Sequence, residues 1–296
     1  MKHTESRLLR SVLYVPASQK RVLEKAPKLK ADALILDLED SVSPQAKAEA
    51  RQLACETLLR VPEDALVRTV RINGLSTDWW SEDITTVFPG QPDGIVVPKV
   101  DGVESLKPLD DQLSHMEKSL VCEYRPSIWA MIESPLGVIN AHAIASHPRV
   151  SCLVMGTSDL IAALGVRAGV DRSNLAMALQ QSVLAAKAAG VPILDGVFLD
   201  LKDGEGFETQ CREGAGLGFA GKTVIHPSQV GPANALFLPS DDEIARARNT
   251  LVLWRKAQQR GEEICLVEGV LVERLHARRA AIILKSVGEI SDFSTI

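Results

Sequence analysis

The sequence predicts an α/β protein, a (β/α)8 TIM barrel with a C-terminal helical extension. Three observations carry this reading: eight short apolar runs, a regular spacing between them, and helical periodicity in the stretches that separate them. The runs are Ser11–Val15, Ala33–Asp37, Leu66–Ile72, Gly94–Val97, Ser127–Ile132, Ser151–Met155, Pro192–Val197 and Lys222–Ile225. Near-continuous apolar runs of this length suit strands covered on both faces, as in a parallel sheet. Their starts lie 22, 33, 28, 33, 24, 41 and 30 residues apart, the rhythm of a strand followed by a crossover helix. Between them, Ser43 and Pro44 predict an N-cap and a first-turn proline, and Gly190 predicts a helix stop after Arg172–Ala189. No GxGxxG follows the first run, which disfavours an open dinucleotide-binding sheet.

The barrel is expected over residues 1–238 and the extension over 239–296. Pro239-Ser240-Asp241-Asp242 opens a helix over Glu243–Arg260, and Gly261 breaks it. A short apolar segment, ICLVEGVLVE, then leads into a last helix over Arg274–Ser286. Such an extension has too little core to stand alone, so it is expected to pack on the barrel or on a neighbouring subunit.

With 296 residues, 46% of them hydrophobic, and a net charge of −5, the chain can bury a full core and lacks the basic excess of a nucleic-acid binder. Its partners are expected to be small molecules and other protein chains. The five cysteines (Cys55, Cys122, Cys152, Cys211 and Cys265) form no CxxC pair, which argues for free thiols in a reducing, cytoplasmic setting. No signal-peptide core opens the chain, and no apolar run approaches the length of a membrane span.

In this fold, chemistry sits at the C-terminal ends of the strands. The residues just after the runs are rich in charge: Asp37, Glu39 and Asp40, then Arg71, Lys99, Glu133, Asp159 and His226. Glu133 and Asp159 follow adjacent strands, close enough for two carboxylates to share a cation. With no His or Cys beside them, they suit a hard ion such as Mg²⁺, although an N-cap and a loop salt bridge would also account for them. Arg71 is placed to hold a substrate carboxylate with its planar fork, or to pair with the Asp37/Glu39/Asp40 cluster, or both. Alternation points Asp37 and Glu39 together into the mouth, where they would orient Arg71 and metal-bound water. Lys99 reads as an anion contact rather than a Schiff-base lysine, and His226 as a substrate contact or a structural hydrogen bond. Ser158 and Cys152 lack an adjacent base, which disfavours nucleophilic catalysis.

The stretches RSVLYVPAS, DALILDLEDSV, VRING, VVPKV, MIESPLGV, GTSDL, DGVFLD and GFAGKTVIHPSQV resemble, in order, those of the citrate lyase β-subunit and malyl-CoA/citramalyl-CoA lyase family. The resemblance covers nearly the whole chain, and IHPSQV is more similar to the stand-alone acyl-CoA lyases. It implies that Glu133 and Asp159 ligate Mg²⁺, with Glu133 and Arg71 also facing the substrate and Arg71 binding the keto-acid half. It further implies that Arg21 and Lys25, with Tyr14 nearby, contact coenzyme A. The implied reaction is cleavage of a 3-hydroxyacyl-CoA, such as citramalyl-, malyl- or citryl-CoA, into a 2-oxo acid and acetyl- or propionyl-CoA. A homotrimer or hexamer is implied, because the family's DGxMVD-like tail carries an Asp that reaches a neighbour's site as catalytic acid/base. Here that stretch is Glu268–Glu273, so Glu273 replaces the Asp, and Val270 stands where a basic residue is usual. The extra methylene can displace a base by ~1 Å, worth about 10²-fold in rate. Two other readings stay open: a class II aldolase acting on CoA-free hydroxy-oxo acids, and a weakly active or accessory subunit of a lyase complex.

Overall fold

The structure, a computed structural model, describes residues 8–62, 66–119, 124–167 and 171–290. His3, Cys122 and the start of the N-terminal stretch lie outside the described residues. The chain forms two compact units, Met1–Asn234 and Ala235–Ile296.

In the first unit eight parallel strands close on themselves. They are β1 (Ser11–Pro16), β2 (Ala33–Asp37), β3 (Val67–Arg71), β4 (Gly94–Val97), β5 (Ser127–Ile132), β6 (Val150–Met155), β7 (Ile193–Asp195) and β8 (Gly221–Val224). The helices between them are α1 (Lys20–Lys25), α2 (Lys47–Arg60), α3 (Trp80–Val87), α4 (Lys107–Ser119), α5 (Pro135–Ala145), α6 (Thr157–Leu164), α7 (Ala176–Ala189) and α8 (Gly204–Leu217), and α9 (Pro227–Leu236) follows β8. β1 pairs with β8 from Ser11 opposite Lys222 to Leu13 opposite Val224, which closes the ring and leaves no edge.

Inside the barrel, Val12, Ala33, Ile35, Val67, Val96, Trp129, Met131, Cys152, Val154 and Leu194 form one cluster. These are alternate residues of their strands, so the next alternate positions toward the C-terminal ends also face inward. Gly94 makes room for the indole here: a β-carbon on it would lie 3.0 Å from Trp129.

Three departures from the sequence expectation have local causes. β7 is shorter than Pro192–Val197, because Gly196 and Val197 leave the ladder. Ser43 precedes a short 3-10 turn, Pro44–Ala46, and makes no side-chain cap; its carbonyl instead accepts from Ala46 N–H at 3.0 Å. Residues Ser173–Leu175 form another 3-10 turn ahead of α7, while Gly190 ends that helix in the left-handed conformation, φ 73°.

The second unit contains α10 (Asp241–Gln259), β9 (Ile264–Val267), β10 (Val270–Glu273) and α11 (Arg274–Ser286). Ser240 and Glu243 cap α10 reciprocally, at the helix start expected over residues 239–242. The apolar ICLVEGVLVE segment is an antiparallel hairpin that turns through Glu268 (φ 52°) and Gly269 (φ 80°). Trp254, Leu251, Val267, Val272, Ala281 and Leu284 lie in a core belonging to this unit.

Candidate active site

The site is assembled from strand ends. β2 and β3 pair in register, so Asp37 lies directly across from Arg71 at the last position of each strand. Both face inward by alternation from Ile35 and Val67. Arg71 donates from Nε to Asp37 Oδ1 at 2.7 Å and from Nη2 to Asp37 Oδ2 at 2.8 Å. Its Nη1 reaches Glu39 Oε2 at 2.9 Å and Asp40 Oδ2 at 3.6 Å. The ring of Tyr14, from β1, lies against the guanidinium at 4.9 Å. Burial alone would raise the Asp37 carboxyl, but the hydrogen bonds and charge of Arg71 hold it below the usual carboxylate range. Glu39 moves the other way: burial raises it, and Arg71 and Lys99 offset only part of that rise.

Glu133 follows β5 in the inward row that contains Trp129 and Met131. Its Oε1 accepts from the backbone N–H of Lys99 at 2.6 Å. Its Oε2 is buried and has no hydrogen-bond partner among the described residues. Burial first, and the nearby Asp159 charge second, push this carboxyl up to about 7. Asp159 stands in the first turn of α6, whose N-terminal dipole favours negative charge. Between the two carboxylates comes Gly156, at which a β-carbon would lie 2.2 Å from Glu133 Oε2. The absence of a side chain there is a steric requirement of the site.

These groups open onto a cavity of about 430 Å³, with Asp37, Asp40, Arg71, Glu133 and Asp159 on its charged side. Met131, Met155, Val197 and Ile225 form an apolar wall, and Tyr14, Thr157, Ser158 and Thr223 supply hydroxyls. The wall residues were not singled out in the sequence; inward register at the strand ends marks Met131 and Ile225, whereas Met155 and Val197 have the opposite parity and reach the cavity from the ends of β6 and β7.

A buried carboxylate oxygen without a partner, beside a second carboxylate, costs free energy unless a proton or a cation satisfies it. Among the described residues no cluster of three or more His, Cys, Asp or Glu side chains could hold a metal ion. Glu133 and Asp159 are therefore a two-carboxylate set, which fits a hard divalent cation that keeps its remaining positions for water or substrate oxygen.

Other residues picked from the sequence lie elsewhere. Arg21 and Lys25 are exposed on α1, the helix that follows β1. Exposed His226 makes the structural contact: its Nδ1 pairs with the Ser228 hydroxyl at 2.8 Å and accepts from Ser228 N–H at 3.2 Å. Cys152 is buried in the barrel core, where desolvation drives its thiol pKa upward. Glu273, exposed in the second unit, is the N-cap residue of α11, and its N–H donates to His276 Nδ1 at 3.2 Å.

A barrel whose strand ends combine a carboxylate pair, a clamped arginine and an apolar wall defines a class of enzymes, and the sequence match agrees. Residues 10–227 match the HpcH/HpaI aldolase/citrate lyase family, and the chain belongs to it. It is an enzyme of the carbon–carbon lyase type. The chain is 40% identical over 267 residues to a (3S)-malyl-CoA thioesterase of Cereibacter sphaeroides, with 90% of each chain covered. It is 30% identical over 275 residues to the mitochondrial citramalyl-CoA lyase of Homo sapiens, covering 89% of this chain and 81% of that one. Among solved structures, it is similar to the protein CitE from Mycobacterium tuberculosis in complex with magnesium, acetoacetate and coenzyme A. That likeness has a TM-score of 0.78 and 27% identity, over 94% of this chain and 98% of that one.

Proposed function

We propose that this chain is a Mg²⁺-dependent lyase that cleaves the CoA thioester of a 3-hydroxy acid, of the malyl-, citramalyl- or citryl-CoA type, into a 2-oxo acid and an acyl-CoA. The observation that carries the reading is the unpartnered Oε2 of Glu133, buried next to Asp159 in a cavity that also contains Arg71. Mg²⁺ held by Glu133 and Asp159 would act as a Lewis acid toward substrate oxygens. Arg71 has its Nε/Nη2 edge committed to Asp37, and its Nη1 lies 2.9 Å from Glu39, so a substrate carboxylate would share Nη1 with Glu39. The solved CitE complex with coenzyme A supports a thioester substrate. Arg21 and Lys25 on α1 supply cationic charge for its phosphates.

In the reaction, a carboxylate base takes the hydroxyl proton and the carbinol becomes the carbonyl of the 2-oxo acid. The carbon–carbon bond breaks, and its electron pair moves onto the thioester as an enolate, which is then protonated at carbon. Glu273 is the acid/base in this proposal, brought to the mouth by another copy of the chain in a homotrimer or hexamer. The protein works in the cytoplasm; Cys55, Cys152, Cys211 and Cys265 are free thiols, and no described helix is long and apolar enough to cross a membrane.

A second reading, hydrolysis of the same thioester to a 3-hydroxy acid and free CoA, is favoured by the 40% identity to the malyl-CoA thioesterase. One assay tests both. Malyl-, methylmalyl-, citramalyl- and citryl-CoA are incubated with Mg²⁺ and with EDTA, and 2-oxo acid and free thiol are measured separately. Metal-dependent 2-oxo acid supports the lyase, while free thiol without 2-oxo acid supports the hydrolase. Turnover of CoA-free hydroxy-oxo acids alone overturns both in favour of an aldolase, and Mg²⁺ binding with no turnover leaves an accessory subunit.

A further inference from the structure

Lys99, just beyond β4, has a backbone φ of 55°, in the left-handed region that strains an L-residue. The surrounding loop holds it there. Val100 N–H donates to the Met131 carbonyl at 3.4 Å, and the Asp101 carbonyl accepts from Asn140 Nδ2 at 2.7 Å. The Asp101 carboxylate also accepts from the Ser134 hydroxyl. In this conformation the Lys99 N–H reaches Glu133 Oε1 at 2.6 Å. Strain maintained by several independent contacts beside reactive groups is a mark of function.

Glycine would meet the backbone demand without strain, so the lysine side chain must contribute something further. Its Nζ lies 3.1 Å from Glu39 Oε1, while Glu39 Oε2 lies 2.9 Å from Arg71 Nη1. The ammonium therefore keeps one Glu39 oxygen away from the guanidinium. Without it, both oxygens are free to turn onto Nη1, the end that Asp37 leaves available.

We propose that Lys99 is a positioning residue with two separable roles: its backbone N–H aims Glu133 at the cation, and its ammonium, through Glu39, keeps Arg71 open to the carboxylate of the 2-oxo acid. This inference rests on the roles of Glu133 and Arg71 proposed above. Replacing the side chain should leave the metal role intact and weaken the carboxylate role.

The test uses calorimetric titration of the full chain with Mg²⁺, then with pyruvate and glyoxylate at saturating Mg²⁺. Lys99→Gly keeps the left-handed backbone and relieves strain, Lys99→Met keeps the apolar stem, and Lys99→Arg restores a cation. Expected results are Mg²⁺ affinity within about threefold of wild type in all three, and 2-oxo-acid affinity about tenfold weaker in the Gly and Met variants, recovering in Arg. Wild-type 2-oxo-acid affinity in Lys99→Gly overturns the side-chain role. Equal losses of Mg²⁺ and 2-oxo-acid affinity in Lys99→Gly overturn the separation of roles. A wild-type chain that binds neither ligand overturns the proposed function itself, and this inference with it.

Discussion

Replacing Glu133 by glutamine should make the metal-free fold gain stability relative to wild type as pH rises, and should abolish Mg²⁺ binding. Burial, and then Asp159, raise the Glu133 carboxyl from 4.5 to about 7 in the folded chain. A carboxyl whose folded pKa exceeds its unfolded value retains its proton in the native state over that window. Its destabilising effect is absent below the unfolded pKa, grows as pH rises, and is complete above the folded one. At 1.36 kcal/mol per pKa unit, a rise from 4.5 to about 7 corresponds to about 3 kcal/mol in alkaline solution. Glutamine keeps an acceptor for Lys99 N–H and carries no charge. Its amide nitrogen would take the place of the unpartnered Oε2, at a cost of about 1–3 kcal/mol that does not vary with pH. The pH dependence is therefore the clean observable. Urea unfolding in EDTA at about pH 5 and about pH 8 should show the variant gaining about 2–3 kcal/mol on wild type between the two conditions. Added Mg²⁺ should stabilise wild type at about pH 8 and leave the variant unchanged. Parallel pH profiles for the two proteins would refute the raised carboxyl and, with it, the electrostatic argument for the cation site.

Asp159→Ala should abolish Mg²⁺ binding in calorimetric titration without unfolding the barrel, and unchanged affinity would sink the assignment. Arg71→Lys keeps the charge but loses the two-point clamp on Asp37, so 2-oxo-acid affinity should fall about tenfold or more; wild-type binding would make Arg71 purely structural. Mixing inactive Arg71→Ala subunits with inactive Glu273→Ala subunits should restore partial activity, whereas no recovery after verified subunit exchange would mean Glu273 acts in its own chain or not at all. In the second unit, Trp254 is buried at 1% exposure and its indole nitrogen has no partner among the described residues. Trp254→Ala should cost about 3–5 kcal/mol and Trp254→Phe much less, and equal losses in denaturant titrations would contradict that account.

The barrel was legible because each strand is covered on both faces, so the apolar runs appear almost uninterrupted and their ends mark the mouth. Asp37, Arg71 and Glu133 could be picked for the same reason, since alternation from a known core position fixes the facing of each strand end. Composition alone left the partner of Arg71 open between the acidic cluster and a substrate; the register of β2 against β3 commits one edge of it to Asp37. Ser43 resembled an N-cap, yet a 3-10 turn starting at Pro44 takes its carbonyl instead of its hydroxyl. The β9–β10 hairpin lacked an Asn-Gly or Asp-Gly turn signal, and its mostly exposed residues do not alternate cleanly. Lys99 was visible as a charge at a strand end. Its backbone conformation, which aims the N–H at Glu133, depends on contacts from the β5–α5 junction that no local pattern records.

Gly156 sets a boundary on how this pocket can be re-engineered. Its φ of −98° is open to any residue, so the ban on a side chain there is steric: the three atoms nearest a β-carbon all belong to Glu133. A library aimed at new substrates therefore has freedom at Met131, Met155, Val197 and Ile225, which shape the cavity and bear no charge. Position 156 offers none: even a methyl group displaces the carboxylate, so variants there would be discarded as inactive whatever they did for substrate fit. Chemistry and selectivity are thus written on different residues, and the pocket can be recut for new acyl groups while its reacting centre is left alone.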